Sequence, residues 1–193
     1  MKKTGIVVIA LVLIASLCGG FYYVKTRSDA NSGENGNLTK VQKLITRNLD
    51  ENYPKTPRAV VKLYNQFISC YYKEEYTDSE LDSLVVQAQK LFDDELVQNN
   101  PKDQLKASIV ADVKDYDDRS RNISQMNVCD TEDVRFVTDK EKGDSLAYVQ
   151  ASYFIQEKKK YSRTYQMYVL RKDAAGRWKI ITYYQIKGKD VDD

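Results

Sequence analysis

The most constraining feature of the chain is the stretch of residues 4–24, which contains 21 residues and no charged side chain. As a helix, residues 5–24 would rise by about 30 Å, the thickness of the hydrocarbon core of a bilayer. Two lysines precede the run and two tyrosines lie near its end, as at a membrane interface. Residues 1–24 are therefore predicted to be an N-terminal transmembrane signal-anchor, single-pass in the cell membrane, with the rest of the chain extracytoplasmic.

Two alternatives explain the same run. A cleaved secretory signal ends in small residues at alternate positions, but Leu17 and Cys18 occupy such positions in the two candidate sites. A bacterial lipoprotein would be anchored through Cys18, and that signal favours a small residue where Leu17 stands. Both alternatives also place the following domain outside the cytoplasm, so the predicted location does not depend on the choice.

The charge balance and the lack of histidine exclude several function classes. Of the 30 basic and 28 acidic residues, four basic and no acidic residues lie in residues 1–27, which leaves 26 basic against 28 acidic residues. That balance gives no basic footprint for nucleic acid. Without histidine, the chain lacks the usual general base and the commonest metal ligand. Ser-His-Asp and Cys-His hydrolases are excluded, and no metal or cofactor is predicted.

Three cysteines occur, and only Cys18 lies in the apolar run. In an oxidising compartment the other two, Cys70 and Cys129, are able to pair, which makes them a candidate disulfide. The alternative is two separate buried thiols, and the sequence leaves both interpretations open.

Helical signals follow a polar stretch. Residues 25–37 are rich in Gly, Ser and Asn and are predicted to be a flexible linker, with an end-to-end distance of about 20 Å. Beyond it, apolar residues recur at helical spacing in four segments. Thr56-Pro57 and the capping box from Thr77 to Glu80 are start signals for the second and third helices. The four apolar stripes begin at Leu38, Val60, Leu81 and Leu105.

After about residue 119 the apolar period changes from 3.6 to 2, which is typical of strands. Five strands are predicted, and a slip in parity between Ile123 and Met126 indicates a bulge in the first. Helices followed by an antiparallel meander predict an α+β domain over residues 38–193, in which the helices cover one face of the sheet. The alternating residues are Ala147, Val149, Ala151, Tyr153 and Ile155 on the third strand, Tyr161, Tyr165, Met167 and Val169 on the fourth, and Trp178, Ile180, Tyr184 and Ile186 on the fifth.

Short motifs then occur in a recognisable order: Thr56-Pro57, Tyr64 and Tyr71, YVLRK at residues 168–172 and GRWKI at residues 176–180. Together they resemble the nuclear-transport-factor-2-like superfamily over residues 56–187. The resemblance implies a cone, in which a strongly curved antiparallel sheet wraps around helices.

A narrower resemblance rests on three other segments, residues 53–58, 91–96 and 100–101. They are similar to an uncharacterised family of single-pass membrane proteins from anaerobic Gram-positive bacteria. That resemblance implies an architecture and no activity.

The superfamily resemblance also implies a possible enzyme. Steroid isomerases and dehydratases of this superfamily use an Asp base inside the cone, with Tyr or acid hydrogen-bond donors, and an apolar cone tunes the pKa of such a base. The inward face of the third strand has no carboxylate. No catalytic residue is assigned, and a non-enzymatic role is the favoured interpretation.

An acidic cluster lies near the end of the fourth predicted helix, where carboxylates are unfavourable. It is either a cation site or a solvated face that Lys114 and Arg119 partly neutralise. Its members are Asp112, Asp115, Asp117 and Asp118.

Fifteen tyrosines are many for this length, and tyrosine favours both strands and interfaces. On the outer parity of the third strand, Tyr148 and Phe154 leave more apolar area than solvent contact needs. Tyr148, Phe154 and Tyr168 are therefore the candidate interface residues, in a superfamily whose sheet face often forms dimers. A covering loop or terminal element is the alternative.

These observations predict a membrane-anchored, extracytoplasmic binding or assembly module of the bacterial cell envelope. Its expected partners are the membrane, through residues 5–24, and a second copy or another envelope protein. Within the superfamily, anchored domains of this kind occur in conjugation and secretion machinery. The alternative is a small-molecule binder or isomerase-like enzyme that uses the cone cavity.

Overall fold

A computed structural model describes residues 38–141 and 143–187, which form five α-helices and five β-strands. A 3-10 turn, Thr131–Asp133, joins the first two strands. The helices are α1 (Lys40–Ile45), α2 (Pro57–Lys73), α3 (Asp78–Gln89), α4 (Asp94–Asn99) and α5 (Lys102–Asp118), and the strands are β1 (Arg121–Val128), β2 (Arg135–Thr138), β3 (Ser145–Glu157), β4 (Lys160–Lys172) and β5 (Trp178–Ile186).

The helix starts are set by local caps, as the sequence predicts. The Thr56 side chain accepts a hydrogen bond from the Ala59 amide, and Pro57 occupies the first turn of α2. Thr77 and Glu80 form a complete capping box at α3. The short helix α4 is not predicted, because it buries no residue and has no apolar stripe.

The strands form one antiparallel sheet in the order β1-β3-β4-β5. The short strand β2 pairs with the first part of β3, and β1 pairs with the rest of the same edge. The predicted bulge in β1 is confirmed, since the register shifts between Ile123 and Gln125 and leaves Ser124 as the additional residue. The fold class is thus α+β with a curved antiparallel sheet.

The inward face of the sheet is correctly predicted for β3 and incorrectly for parts of β4 and β5. Tyr168 lies opposite Val149, so it points inward and is fully buried, whereas Tyr161 is 71% exposed. In β5 a second bulge leaves Ile181 as the additional residue and reverses the parity. Tyr183, and not the predicted Tyr184, therefore shares the inward face with Tyr168.

The core lies between the helices and this inward face. Helix α2 contributes most of it, with Val60, Val61 and Phe67 fully excluded from solvent. Helix α5 contributes little, because Leu105 is its one buried residue. The long helix α5 is therefore placed over the sheet without filling the space beneath it.

The predicted fold class needs one correction, because it joined a transmembrane helix to the α+β domain. Within residues 38–141 and 143–187, none of the helices combines the length and the apolar character that a membrane crossing requires. Residues 5–24, the predicted anchor, and residues 25–37, the predicted linker, lie outside the described residues.

Candidate functional site

A cavity of about 460 Å³ separates α2 and α5 from the inward face of the sheet. Its wall contains seven tyrosines and one carboxylate. The lining residues are Tyr64, Ile68, Tyr71 and Tyr72 from α2, Leu105, Ser108, Ile109, Asp112 and Tyr116 from α5, and Ile123, Tyr153, Ile155, Thr164, Gln166, Tyr168 and Tyr183 from the strands.

Helical spacing brings the helix residues of this wall together. In α2 the lining positions are separated by three or four residues along one face. In α5 the same spacing aligns Leu105, Ile109 and Asp112, with Leu105 buried at one end and Asp112 exposed at the other. The cavity therefore has a buried floor and a mouth near Ser108 and Asp112, both of which are exposed.

A hydrogen-bonded chain crosses the floor. The Tyr153 hydroxyl lies 2.8 Å from Asn65 Oδ1 and 2.6 Å from the Tyr168 hydroxyl, which lies 3.0 Å from Gln166 Oε1. The hydroxyls of Tyr153 and Tyr168 have one proton each, but the chain has three contacts. The amide of Asn65 or of Gln166 must therefore donate the third hydrogen bond. Asn65 Nδ2 is buried without a partner among the described residues. With the oxygen and nitrogen of the Asn65 amide exchanged, Nδ2 donates to Tyr153, Tyr153 donates to Tyr168, and Tyr168 donates to Gln166 Oε1.

Tyr71 presents the most unusual group of the wall. Its side chain is 95% buried, and its hydroxyl has no hydrogen-bond partner in the part of the chain that the structure describes. A buried polar group without a partner costs about 1–3 kcal/mol. Tyr71 contributes to the cavity wall, but its hydroxyl oxygen is inaccessible to solvent.

We expect Tyr71→Phe to raise the free energy of unfolding of the ligand-free chain by about 1 kcal/mol, because it removes an unsatisfied buried hydroxyl. Tyr153→Phe is the matched control, since its hydroxyl makes two contacts, and we expect it to lower the same quantity by about 1–2 kcal/mol. Urea denaturation measures both. Equal destabilisation by the two substitutions would show that the Tyr71 hydroxyl has a partner.

The mouth combines a carboxylate with two aromatic rings. The Tyr72 hydroxyl donates a hydrogen bond to Asp112 Oδ2, and the Tyr72 and Tyr116 ring centroids are 4.7 Å apart. Deeper in the cavity, the Tyr168 and Tyr183 rings are 5.7 Å apart. The rings therefore surround the space from mouth to floor.

Burial raises the pKa of several tyrosines of the wall. It raises the pKa of Tyr153 to about 12, partly offset by the hydrogen bonds with Tyr168 and Asn65. Burial likewise raises the pKa of Tyr71 and Tyr168. For Tyr72, burial and then the hydrogen bond to Asp112 raise the pKa. These groups therefore act as hydrogen-bond donors, and Asp112 is the source of negative charge in the wall.

The three candidate interface residues lie on opposite faces of the sheet. Tyr148 and Phe154 lie half-buried on the outer face, where guanidinium groups cover them: Arg135 lies 4.1 Å from the Tyr148 ring centroid and Arg163 lies 3.9 Å from that of Phe154. Tyr168 is wrong as an interface residue, because it is fully buried in the cavity wall. An interface at Tyr148 and Phe154 stays a prediction.

The two candidate disulfide residues are free thiols, Cys70 buried and Cys129 half-buried. Of the two alternatives that the sequence leaves open, the structure has the separate thiols. Burial raises the pKa of Cys70 to about 11, which makes it a poor nucleophile at neutral pH.

The acidic cluster of α5 is largely paired. Asp115 lies 2.9 Å from Arg119 and Asp118 lies 2.6 Å from Lys114. Within the described residues, no group of three or more Cys, Asp and Glu side chains is arranged to hold a metal ion. Asp112 alone among the four faces the cavity, so the cluster is mostly a solvated face.

Residues 1–183 match a protein family described as a domain of unknown function (DUF6715). The chain belongs to this family. The match spans most of the chain, and the description of the family assigns no activity. A search of the curated proteins found no match. The function of this DUF6715 protein must therefore be argued from the cavity itself.

Proposed function

We propose that this protein is a binding module whose cavity takes a small organic molecule, on a fold of the nuclear-transport-factor-2-like type. Helices on the inward face of a curved antiparallel sheet support the fold proposal. The cavity that α5 leaves open over the sheet, lined by seven tyrosines and one carboxylate, carries the functional proposal. The volume of about 460 Å³ lies within the range of about 300–1,000 Å³ that is usual for small-molecule sites.

A filled cone would favour an assembly role, whereas an open cone favours ligand binding. Here the space beneath α5 is left open, and it is lined by apolar and aromatic groups with a few polar ones, the usual composition of a ligand site. Arg135 and Arg163 already cover the outer-face aromatic residues. The cavity is thus the better-supported site of action.

Binding is better supported than catalysis. An isomerase-like reaction needs a carboxylate in the cavity, and Asp112 is one. Asp112 lies at the exposed mouth, however, while a general base tuned by an apolar cone is a buried group. The carboxylate is placed to hold a ligand at the entrance.

We expect the full-length chain, purified from cells that express it naturally, to carry a discrete small-molecule adduct in native mass spectrometry. Ser108→Trp should abolish the adduct, because an indole at the mouth obstructs the cavity. Ala107→Trp is the matched control, since Ala107 is an exposed neighbour on α5 that does not line the cavity. An unliganded wild-type mass, or an adduct that Ser108→Trp retains, would contradict the proposal.

A further inference from the structure

The cavity wall is selective in charge. Of the sixteen described residues that line it, one is acidic and none is Lys or Arg. An anionic ligand would meet the Asp112 carboxylate without any compensating cation among the lining residues. The lining is therefore suited to a neutral or a positively charged molecule.

The basic residues near the mouth pair with carboxylates other than Asp112. Lys114 pairs with Asp118, Arg119 pairs with Asp115, and Arg121 lies 2.6 Å from Glu157. No salt bridge to Asp112 occurs in the described part of the chain, and its hydrogen-bond donor is the neutral Tyr72 hydroxyl. The negative charge of Asp112 is thus available to a ligand.

The rings add a second attraction for positive charge. The faces of aromatic rings attract ammonium groups, and several rings around one space form a cage for quaternary ammonium ligands. The Tyr72 hydroxyl donates a hydrogen bond to Asp112, and the Tyr72 ring centroid lies 4.7 Å from that of Tyr116. The Arg121 guanidinium lies over the Tyr116 ring, 5.8 Å from its centroid. A cation of the protein thus already lies over Tyr116, and a cationic group of a ligand at the mouth would contact the Tyr72 ring and the Asp112 carboxylate.

We propose that the ligand is an organic cation, an ammonium or quaternary ammonium group on an apolar body. This inference rests on the proposed function and names its ligand class. The cationic end lies at Asp112. The apolar body occupies the space between Tyr168 and Ile109.

The test compares two esters that differ in charge and share their shape. Benzoylcholine carries a quaternary ammonium, and 3,3-dimethylbutyl benzoate replaces its nitrogen by carbon. We expect calorimetric titration of the full-length chain to show benzoylcholine binding about tenfold more tightly than the neutral ester. Asp112→Asn should remove that difference.

Asp118→Asn is the matched control, because it makes the same change of charge on α5 at a residue that does not line the cavity. It should leave the tenfold preference unchanged. Neutral-ester binding as tight as benzoylcholine binding, an unchanged preference in Asp112→Asn, or no binding of benzoylcholine would each overturn the cation inference. The adduct experiment with Ser108→Trp tests the cavity without either ester, so the proposed function stands or falls separately.

Discussion

Phe67→Ala is expected to lower the free energy of unfolding by about 3–5 kcal/mol, because a truncated core phenylalanine loses its burial energy and leaves a cavity. Phe67 lies at the centre of α2 and is fully excluded from solvent. It packs in the same core cluster as the inward residues of β3. Helix α2, which carries three of the seven tyrosines in the cavity wall, thus depends on this side chain for its position.

Urea denaturation of the full-length chain, followed by far-UV circular dichroism, measures this effect. Tyr161→Ala is the matched control, since it also truncates an aromatic residue but at a site that is 71% exposed. We expect the control to change the free energy of unfolding by less than about 0.5 kcal/mol. Similar losses in the two variants would contradict the placement of Phe67 in the core.

Arg171→Met should lower the free energy of unfolding by about 3 kcal/mol, because it leaves the carboxylate of Asp93 with little solvent and without its cation. The Arg171 guanidinium binds both oxygens of Asp93, at 2.7 and 3.3 Å. Asp93 is 8% exposed and caps α4 through the Glu95 amide. Methionine retains the apolar stem of the side chain, so the loss reports on the charge.

The same denaturation experiment on Lys114→Met gives the control. Lys114 pairs with Asp118 at 2.6 Å, but both side chains are more than 60% exposed. Exposed pairs contribute about 0–1 kcal/mol. A loss in Arg171→Met no greater than that in Lys114→Met would show that the Asp93 pair is screened by solvent.

The cavity differs from the rest of the molecule in its packing and its hydrogen bonding. Elsewhere the buried residues are closely packed and the helix starts are capped, yet beneath α5 the chain leaves space and buries a hydroxyl without a partner. Such local violations are expected at functional sites, where stability is traded for function. The expected stabilisation by Tyr71→Phe tests this trade directly.

Several sequence predictions failed for one physical reason, that both faces of β4 and β5 carry large apolar or aromatic residues. The alternation in β4 does not show whether the face of Tyr168 or the face of Tyr161 points inward. The pairing of β4 with β3 decides this and places Tyr168 in the cavity wall. The bulge at Ile181 turns Tyr183, and not Tyr184, toward the inward face. No turn residue in the sequence signals this bulge. The outer-face interface prediction did not include the arginines that cover Tyr148 and Phe154.

The sequence by itself determined the order of the predicted helices and strands, the caps at Thr56 and Thr77, the first bulge and the inward face of β3. These features depend on residues within a few positions of one another, where caps and periodicity act. Only the tertiary structure decided that seven tyrosines and Asp112 surround one cavity, and that Tyr71 is left without a partner. Those properties depend on strand register and on the volumes of side chains distant in sequence, which no local pattern encodes.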